Sequence, residues 1–297
     1  MIITQLIGGL GNQLFQYAAG RSLAMHHNTE LKLDITQFKK IKNITPRQYG
    51  LYPFKIKEIF AVEEDLHCVK KPSSLIKKWY VGIHCALTGN PVISFKKELH
   101  FQFNPCFFTL PNNVYLEGYW QTEKYFKSIA STIRSEITLK EEMKGKNREL
   151  KEKILCDENS VSIHIRRGDY VTNNLINQIH GCCSLRYYQK GIQKINDLLD
   201  SPRYYVFSDD IPWAKENLKI NNPIIFIENT APEKDYEELI LMSLCRHHLI
   251  ANSSFSWWGA WLGTTADKIT IAPSQWVKDP LRDMNDLIPD DWIKIND

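Results

Sequence analysis

Residues 160–170 read SVSIHIRRGDY. Val161, Ile163 and Ile165 alternate with Ser162, His164 and Arg166, which is the period of a strand. The strand runs into Arg166 and Arg167, then Gly168 and Asp169. Two fixed positive charges at the end of a buried strand need a partner. A guanidinium forks its N–H donors onto phosphate oxygens, so a diphosphate can be that partner. Arg166, beside His164 at the carboxyl end of the strand, is read as a ligand contact. For Arg167, an internal ion pair with Asp169 closing a turn serves as well as a ligand. Gly168 lets the backbone bend, and Asp169 can hold a guanidinium in place.

Other polar clusters share this position. "SDD" ends in Asp209 and Asp210, "NSSFS" spans 252–256, and "GGLGNQ" spans 8–13. Each falls where a strand hands over to a helix. In open parallel α/β sheets, ligands bind outside the carboxyl ends of the strands. The helix after "NSSFS" also points its N-terminal amides there, which favours an anion. A metal reading of "SDD" is weak. Asp210, followed by Ile211 and Pro212, is a good helix N-cap. The nine histidines show no HExxH. Paired arginines can neutralise a diphosphate leaving group without a metal. A dinucleotide reading is also weak. Gly9-Leu10-Gly11 begins GxGxxG and Asp34 ends the second strand, but Leu14 stands where the third glycine belongs. Asn12 and Gln13 are polar reach into a cleft.

These clusters need elements to hold them. Strand Ile2–Ile7, the loop, helix Leu14–His26 and strand Leu31–Ile35 make one βαβ unit. Residues 40–115 read as irregular. A strand and helix resume over 113–126. A charged helix over 139–159 separates the halves and suggests domains 1–145 and 146–297. Strands 161–166, 204–208, 224–228, 248–251 and 269–272 then alternate with helices. The expected class is α/β with mostly parallel sheets, in two halves facing a cleft.

Net charge is +3 over 297 residues, with 43% hydrophobic and 24% charged, so no bulk field argues for nucleic acid. The seven cysteines are odd in number and include no CxxC pair, which reads as a reduced, intracellular protein. The N-terminus reads as a first strand and not a signal peptide. No apolar run is long enough to span a membrane. The basic, aromatic stretch over 70–84 could touch an anionic membrane surface, although a solvated face is the plainer reading. Trp257, Trp258 and Trp261 at helical spacing read as core. Trp120, beside Gln121 after a strand, reads as a platform for a sugar ring with Gln121 reading its hydroxyls.

"GGLGNQLFQYAAGRSLA", "GYWQTEKYF", "SIHIRRGDYV", "HGCCSLRYY", "YVFSDD" and "NSSFSWWGAWL" stand here in the order seen in bacterial α-1,2-fucosyltransferases. The chain resembles that family from about residue 5 to the C-terminus, least over 40–110. The resemblance implies a GT-B architecture of two Rossmann-like domains. It implies inverting, metal-independent transfer from GDP-β-L-fucose to the 2-OH of a terminal β-galactose. In bacteria it implies a cytoplasmic enzyme of O-antigen or related glycan assembly, with an oligosaccharide or lipid-linked glycan as acceptor. By position, Arg166 matches the arginine on the β-phosphate, flanked by His164 and Arg167, with Asp169 as the motif's aspartate and Asp209 in the same donor half. Glu238 falls where relatives carry an acidic residue, often Asp, for guanine. Ser253, Ser254 and Phe255 match the phosphate loop, and Asn12 the asparagine reaching the donor from the first half. Asp169, His180 and Glu117 are the candidate general bases, and His180 reads equally as a turn residue. Other readings are another linkage or acceptor, a dinucleotide oxidoreductase, and a non-catalytic binding module.

Overall fold

The computed structural model describes residues 1–39, 47–71, 75–228, 234–279 and 282–297, apart from the side chains of residues 75–78, 169 and 174–176. The chain divides into two compact units, Met1–Lys140 with Asn285–Leu287, and Glu141–Met284 with Ile288–Asp297. The division falls a few residues before the 145/146 boundary read from the charged stretch. That stretch is helical over Gly145–Leu155 alone.

Unit 1 contains β1 (Ile2–Gln5), α1 (Leu10–His26), β2 (Leu31–Asp34), α2 (Glu63–His67), β3 (Val69–Lys70), α3 (Leu75–Thr88), β4 (Ile93–Lys97), β5 (Val114–Glu117) and α4 (Ala130–Glu136). Its five strands pair in parallel in the order β2-β1-β5-β4-β3. β1 is buried along its length, as a strand covered on both faces must be. α1 begins at Leu10, not Leu14, with Gly9 extended as its N-cap. Asn12 and Gln13 therefore stand in the first turn of a helix and not in a loop. The stretch read as irregular supplies α2, β3, α3 and β4. Its strands are short, and Ser94, Lys96 and Lys97 blur the apolar period of β4. Ile3, Cys68, Val69, Cys85, Ile93 and Tyr115 pack together between these elements.

Unit 2 contains α5 (Gly145–Leu155), β6 (Ser160–Ile165), α6 (Gly168–Thr172), α7 (Asn174–Ile179), α8 (Leu185–Leu198), β7 (Arg203–Ser208), α9 (Ile211–Asn217), β8 (Ile224–Phe226), α10 (Asp235–Leu244), β9 (His247–Leu249), α11 (Ser254–Leu262), β10 (Thr270–Pro273) and β11 (Ile293–Ile295). Six strands pair in parallel in the order β11-β10-β9-β6-β7-β8. β6 is central and buried at all six positions. Its two serines find partners inside: Ser160 Oγ accepts from the Arg246 amide at 3.1 Å, and Ser162 Oγ meets His248 Nδ1 at 2.8 Å. Val161, Ile163, Ile165, Tyr187, Val206 and Leu249 form the core on the opposite face. Trp257, Trp258 and Trp261 of α11 are buried, as the helical spacing implies. β11 is a strand the sequence reading missed. Among the described residues no helix is long and apolar enough to cross a membrane.

Candidate functional site

The register of β6 against β7 pairs Ile165 with Ser208. The next residues on each strand, Arg166 and Asp209, therefore meet at the sheet's carboxyl edge. Arg166 Nη1 lies 3.0 Å from Asp209 Oδ2. Arg167 Nε lies 3.0 Å from Asp210 Oδ2, and the Arg167 amide donates to Asp209 Oδ1 at 2.8 Å. Each guanidinium also faces a ring. Arg167 sits 4.0 Å over Trp213 and Arg166 5.5 Å over Tyr170. Both arginine side chains stay roughly a quarter exposed.

Arg167 has an ion pair to Asp210, and the one expected to Asp169 falls on a side chain that lies outside the described residues. Asp210 also accepts from the Trp213 amide at 3.2 Å, so the expected N-cap of α9 is present. Asp209 acts as the clamp on Arg166. Gly168 is needed for closeness rather than for bending: a Cβ there would lie 2.6 Å from Asp209 Oδ2. Among the described residues no three His, Cys, Asp or Glu side chains gather as metal ligands would.

His164 lies beneath this surface and does not reach it. It is buried, its Nδ1 has no hydrogen-bond partner, and its ring is 5.7 Å from Phe255. Burial, then the Arg166 charge, lower its imidazole to about 3. His164 is therefore neutral and packed beside Phe255, with the Arg166 charge close by.

The third wall is the turn from β9 into α11. Ser253 Oγ accepts from the Phe255 amide at 3.3 Å, so it caps the helix, and Ser254 opens it. Asn252, buried just before them, has a role that the motif alone does not reveal. Its Nδ2 reaches the carbonyls of His180, Gly181 and Trp276 at 3.0, 3.0 and 3.1 Å. The Tyr170 hydroxyl donates to the Asn252 carbonyl at 3.3 Å, and the Tyr170 ring stacks on His180 at 5.1 Å. Asn252 and Tyr170 thus tie α6, the 180–183 turn and α11 into one support. The signal for Tyr170 was available: it follows Arg166 by four residues on entering a helix. Glu238 stands half-buried in the first turn of α10. Its neighbour Glu237 is buried and accepts from Asn147 Nδ2 at 2.6 Å.

The carboxyl edge of the unit 1 sheet is lined by amides. Gln121 Nε2 donates to Asn12 Oδ1 at 2.8 Å, so these two expected site residues meet. Gln13 is spent on the fold. It donates to the Gly8 and Gln48 carbonyls at 3.0 and 2.8 Å and accepts from the Gly50 amide at 2.9 Å. Glu117 pairs with Lys97 at 2.9 Å.

Trp120 is not a sugar platform. It is 1% exposed, packed against Phe107 and Tyr125 with ring centroids 5.3 and 5.4 Å away. Its φ of +56° is unfavourable for a bulky residue. Glu98 holds it there, accepting from the Tyr119 amide at 2.7 Å and the Trp120 amide at 3.0 Å. Burial raises the Glu98 carboxyl above its usual range, against the lowering effect of those amides. No motif marked Glu98, because its role depends on a loop twenty residues away.

The family model for glycosyl transferase family 11 matches residues 97–296. An α-1,2-colitosyltransferase of Escherichia coli is 35% identical, over 99% of this chain and 99% of the relative. The O-antigen biosynthesis glycosyltransferase WbnK of Escherichia coli is 32% identical, over 98% and 99%. Galactoside α-(1,2)-fucosyltransferase 2 of Rattus norvegicus is 28% identical over 34% of this chain and 29% of its own. The crystal structure of NodZ α-1,6-fucosyltransferase with GDP superposes with a TM-score of 0.50 at 13% identity, covering 87% of this chain and 91% of that one. That is a likeness of fold, and the two parallel-sheet units have the α/β, GT-B-type architecture expected.

Proposed function

This chain belongs to glycosyltransferase family 11, and we propose that it transfers L-fucose from GDP-β-L-fucose to the 2-OH of a terminal β-galactoside, with inversion and without a metal ion. The observation that carries the reading is the arginine pair at the carboxyl end of β6, each guanidinium fixed by a carboxylate 3.0 Å away and by a ring. Cleavage of the fucosyl–phosphate bond moves negative charge onto the GDP. Donors already aimed at that charge need no reorganisation as it grows. Asp209 and Asp210 reduce the net positive field but prepay the ordering of two long side chains. The amide of Ser254 and the dipole of α11 add to this from the neighbouring strand end.

Inversion requires the acceptor hydroxyl to attack from the face opposite the diphosphate, with a base to take its proton. Glu117 pairs with Lys97 and His180 stacks on the Tyr170 ring; these two and Asp169 are the bases to test by substitution. Glu238 is assigned to the guanine, and Asn12 with Gln121 to sugar hydroxyls. The acceptor is a lipid-linked glycan of an O-antigen-type polysaccharide, built on the cytoplasmic side of the inner membrane. The name of one of these relatives, an O-antigen biosynthesis glycosyltransferase, supports the O-antigen part of that setting.

A second reading follows from the relative that transfers colitose. Colitose is fucose without its 3-hydroxyl. A site that hydrogen-bonds that hydroxyl rejects the analogue by about 10⁴-fold, so the ratio of the two donors decides. Purified protein is incubated with lactose and either GDP-fucose or GDP-colitose, with EDTA present. The expected result is GDP release and a 2′-fucosylated trisaccharide, with Arg166→Ala lowering kcat about 10²–10³-fold. Product with GDP-colitose alone moves the conclusion to the second reading. Activity that EDTA abolishes and Mg²⁺ restores removes metal independence. Wild-type protein that binds no GDP overturns the assignment of the arginines.

A further inference from the structure

α3 carries apolar side chains on two opposite faces. Val81 and Cys85, four residues apart, turn inward and pack on Cys68, Val69 and Ile93. Trp79, Ile83 and Leu87 repeat at the same spacing on the other side, with Tyr80 beside them. These four are 71%, 37%, 82% and 68% exposed. A helix apolar all round is ordinarily buried all round, so this outward face is one that another phase covers. Val92, at the entry to β4, extends the exposed apolar surface along the chain.

The charge around the helix says which phase. Residues 66–97 contain six lysines, Lys70, Lys71, Lys77, Lys78, Lys96 and Lys97, and no aspartate or glutamate. Lys97 is paired with Glu117, and the other five positive charges still exceed the +3 of the whole chain. Lys70 and Lys71, just before the helix, are exposed. Two copies of such a face would repel each other. An anionic lipid surface attracts it, and tryptophan and tyrosine settle at the boundary between headgroups and acyl chains.

We propose that the outer face of α3, through Trp79, Tyr80, Ile83 and Leu87 and the surrounding lysines, docks unit 1 onto an anionic lipid bilayer. The helix lies in the interface and does not span it. This docking does not rest on the transferase reading. It would bring an enzyme with a lipid-linked acceptor to the surface where that acceptor is anchored.

The test is co-sedimentation of the full chain with vesicles of phosphatidylcholine alone or mixed with phosphatidylglycerol, over a salt series. Binding to the anionic vesicles is expected to be about tenfold stronger or more, and to weaken with salt. Tryptophan emission should shift to the blue as Trp79 leaves water. The double variant Trp79→Ser, Leu87→Ser should lose about tenfold or more of the binding. Both side chains point to solvent, and unchanged GDP binding and thermal midpoint in the variant verify its fold. Equal binding of wild type and variant to anionic vesicles, or no binding by wild type at low salt, overturns the proposal. So does a concentration-dependent dimer in ultracentrifugation that the double variant abolishes, because the face would then belong to a second copy.

Discussion

The two parallel sheets end in different chemistry. At the carboxyl end of β6, cations are held by carboxylates and rings: Arg166 by Asp209 and Tyr170, Arg167 by Asp210 and Trp213. At the carboxyl end of β1, neutral amides hold one another and the backbone: Asn12 with Gln121, and Gln13 with residues 8, 48 and 50. The carboxylates described near the latter edge are used inside the fold: half-buried Glu98 accepts from two backbone amides and buried Asp34 from the Tyr115 hydroxyl. Yet both edges share a plan. Each runs from strand through a glycine to a helix, and each glycine permits a close approach, to Asn12 at Gly8 and to Asp209 at Gly168. The difference teaches that strand-turn-helix topology positions a site but does not choose its ligand. Charge fixed in place suits an anion, and neutral donor-acceptor pairs suit hydroxyl groups.

Four experiments would break or sharpen that contrast. Trp120→Ala has the largest expected effect. As core it should cost about 3–5 kcal/mol of stability, read from denaturant midpoints. A sugar platform would instead leave the midpoint alone and raise the acceptor KM, which would undo the picture of a packed, amide-lined edge. Gly168→Ala comes next. Its Cβ would sit 2.6 Å from the oxygen of Asp209 that grips Arg166, so the clamp must open. A misplacement of that size should lower kcat/KM for the donor about 100-fold with little change in Tm. Unchanged donor kinetics would mean the aspartate clamps have no part in positioning.

His164 gives a pH signature. Burial and Arg166 hold it near 3 in the folded chain, against about 6.5 unfolded. Between those values the unfolded state binds the extra proton, so stability falls as pH drops through the window and is unaffected above it. His248, buried and also lowered, acts in the same sense. His164→Phe should make the acid limb shallower by up to about 1.4 kcal/mol per pH unit, measured by urea midpoints from about pH 7 to pH 4. An unchanged slope would mean the imidazole titrates normally. The smallest effect is the coupling of Asn12 to Gln121. A double-mutant cycle with alanine at each should return an interaction of about 0.5–1.5 kcal/mol in acceptor kcat/KM. Additive effects would deny that the pair acts as one group.

Much of the charged edge was legible in the sequence. Arginines directly after an alternating apolar strand must lie at its end, and "SDD" and "NSSFS" follow neighbouring strands in the same way. Asp210 as an N-cap and the tryptophans of α11 as core are also local readings. What escaped was pairing across strands. Asp210, a partner of Arg167, is distant in sequence and is brought alongside by the parallel register of β7. The amide-lined edge was less legible. Asn12 and Gln121 could be singled out, but not joined, and Trp120 was misread. An aromatic residue after a strand looks the same whether it faces a ligand or a core, and Glu98 decides between them.

The sequence by itself determined the α/β class, the parallel strands of the second half and the arginine pair at a strand end. These rest on periodicity and on residue type, which short windows contain. Only the tertiary structure decided which carboxylate holds which arginine, that His164 is neutral and covered, and that Trp120 is core. Partner choice, dielectric and burial are properties of neighbours distant in the chain, and they exist only once the sheets have formed.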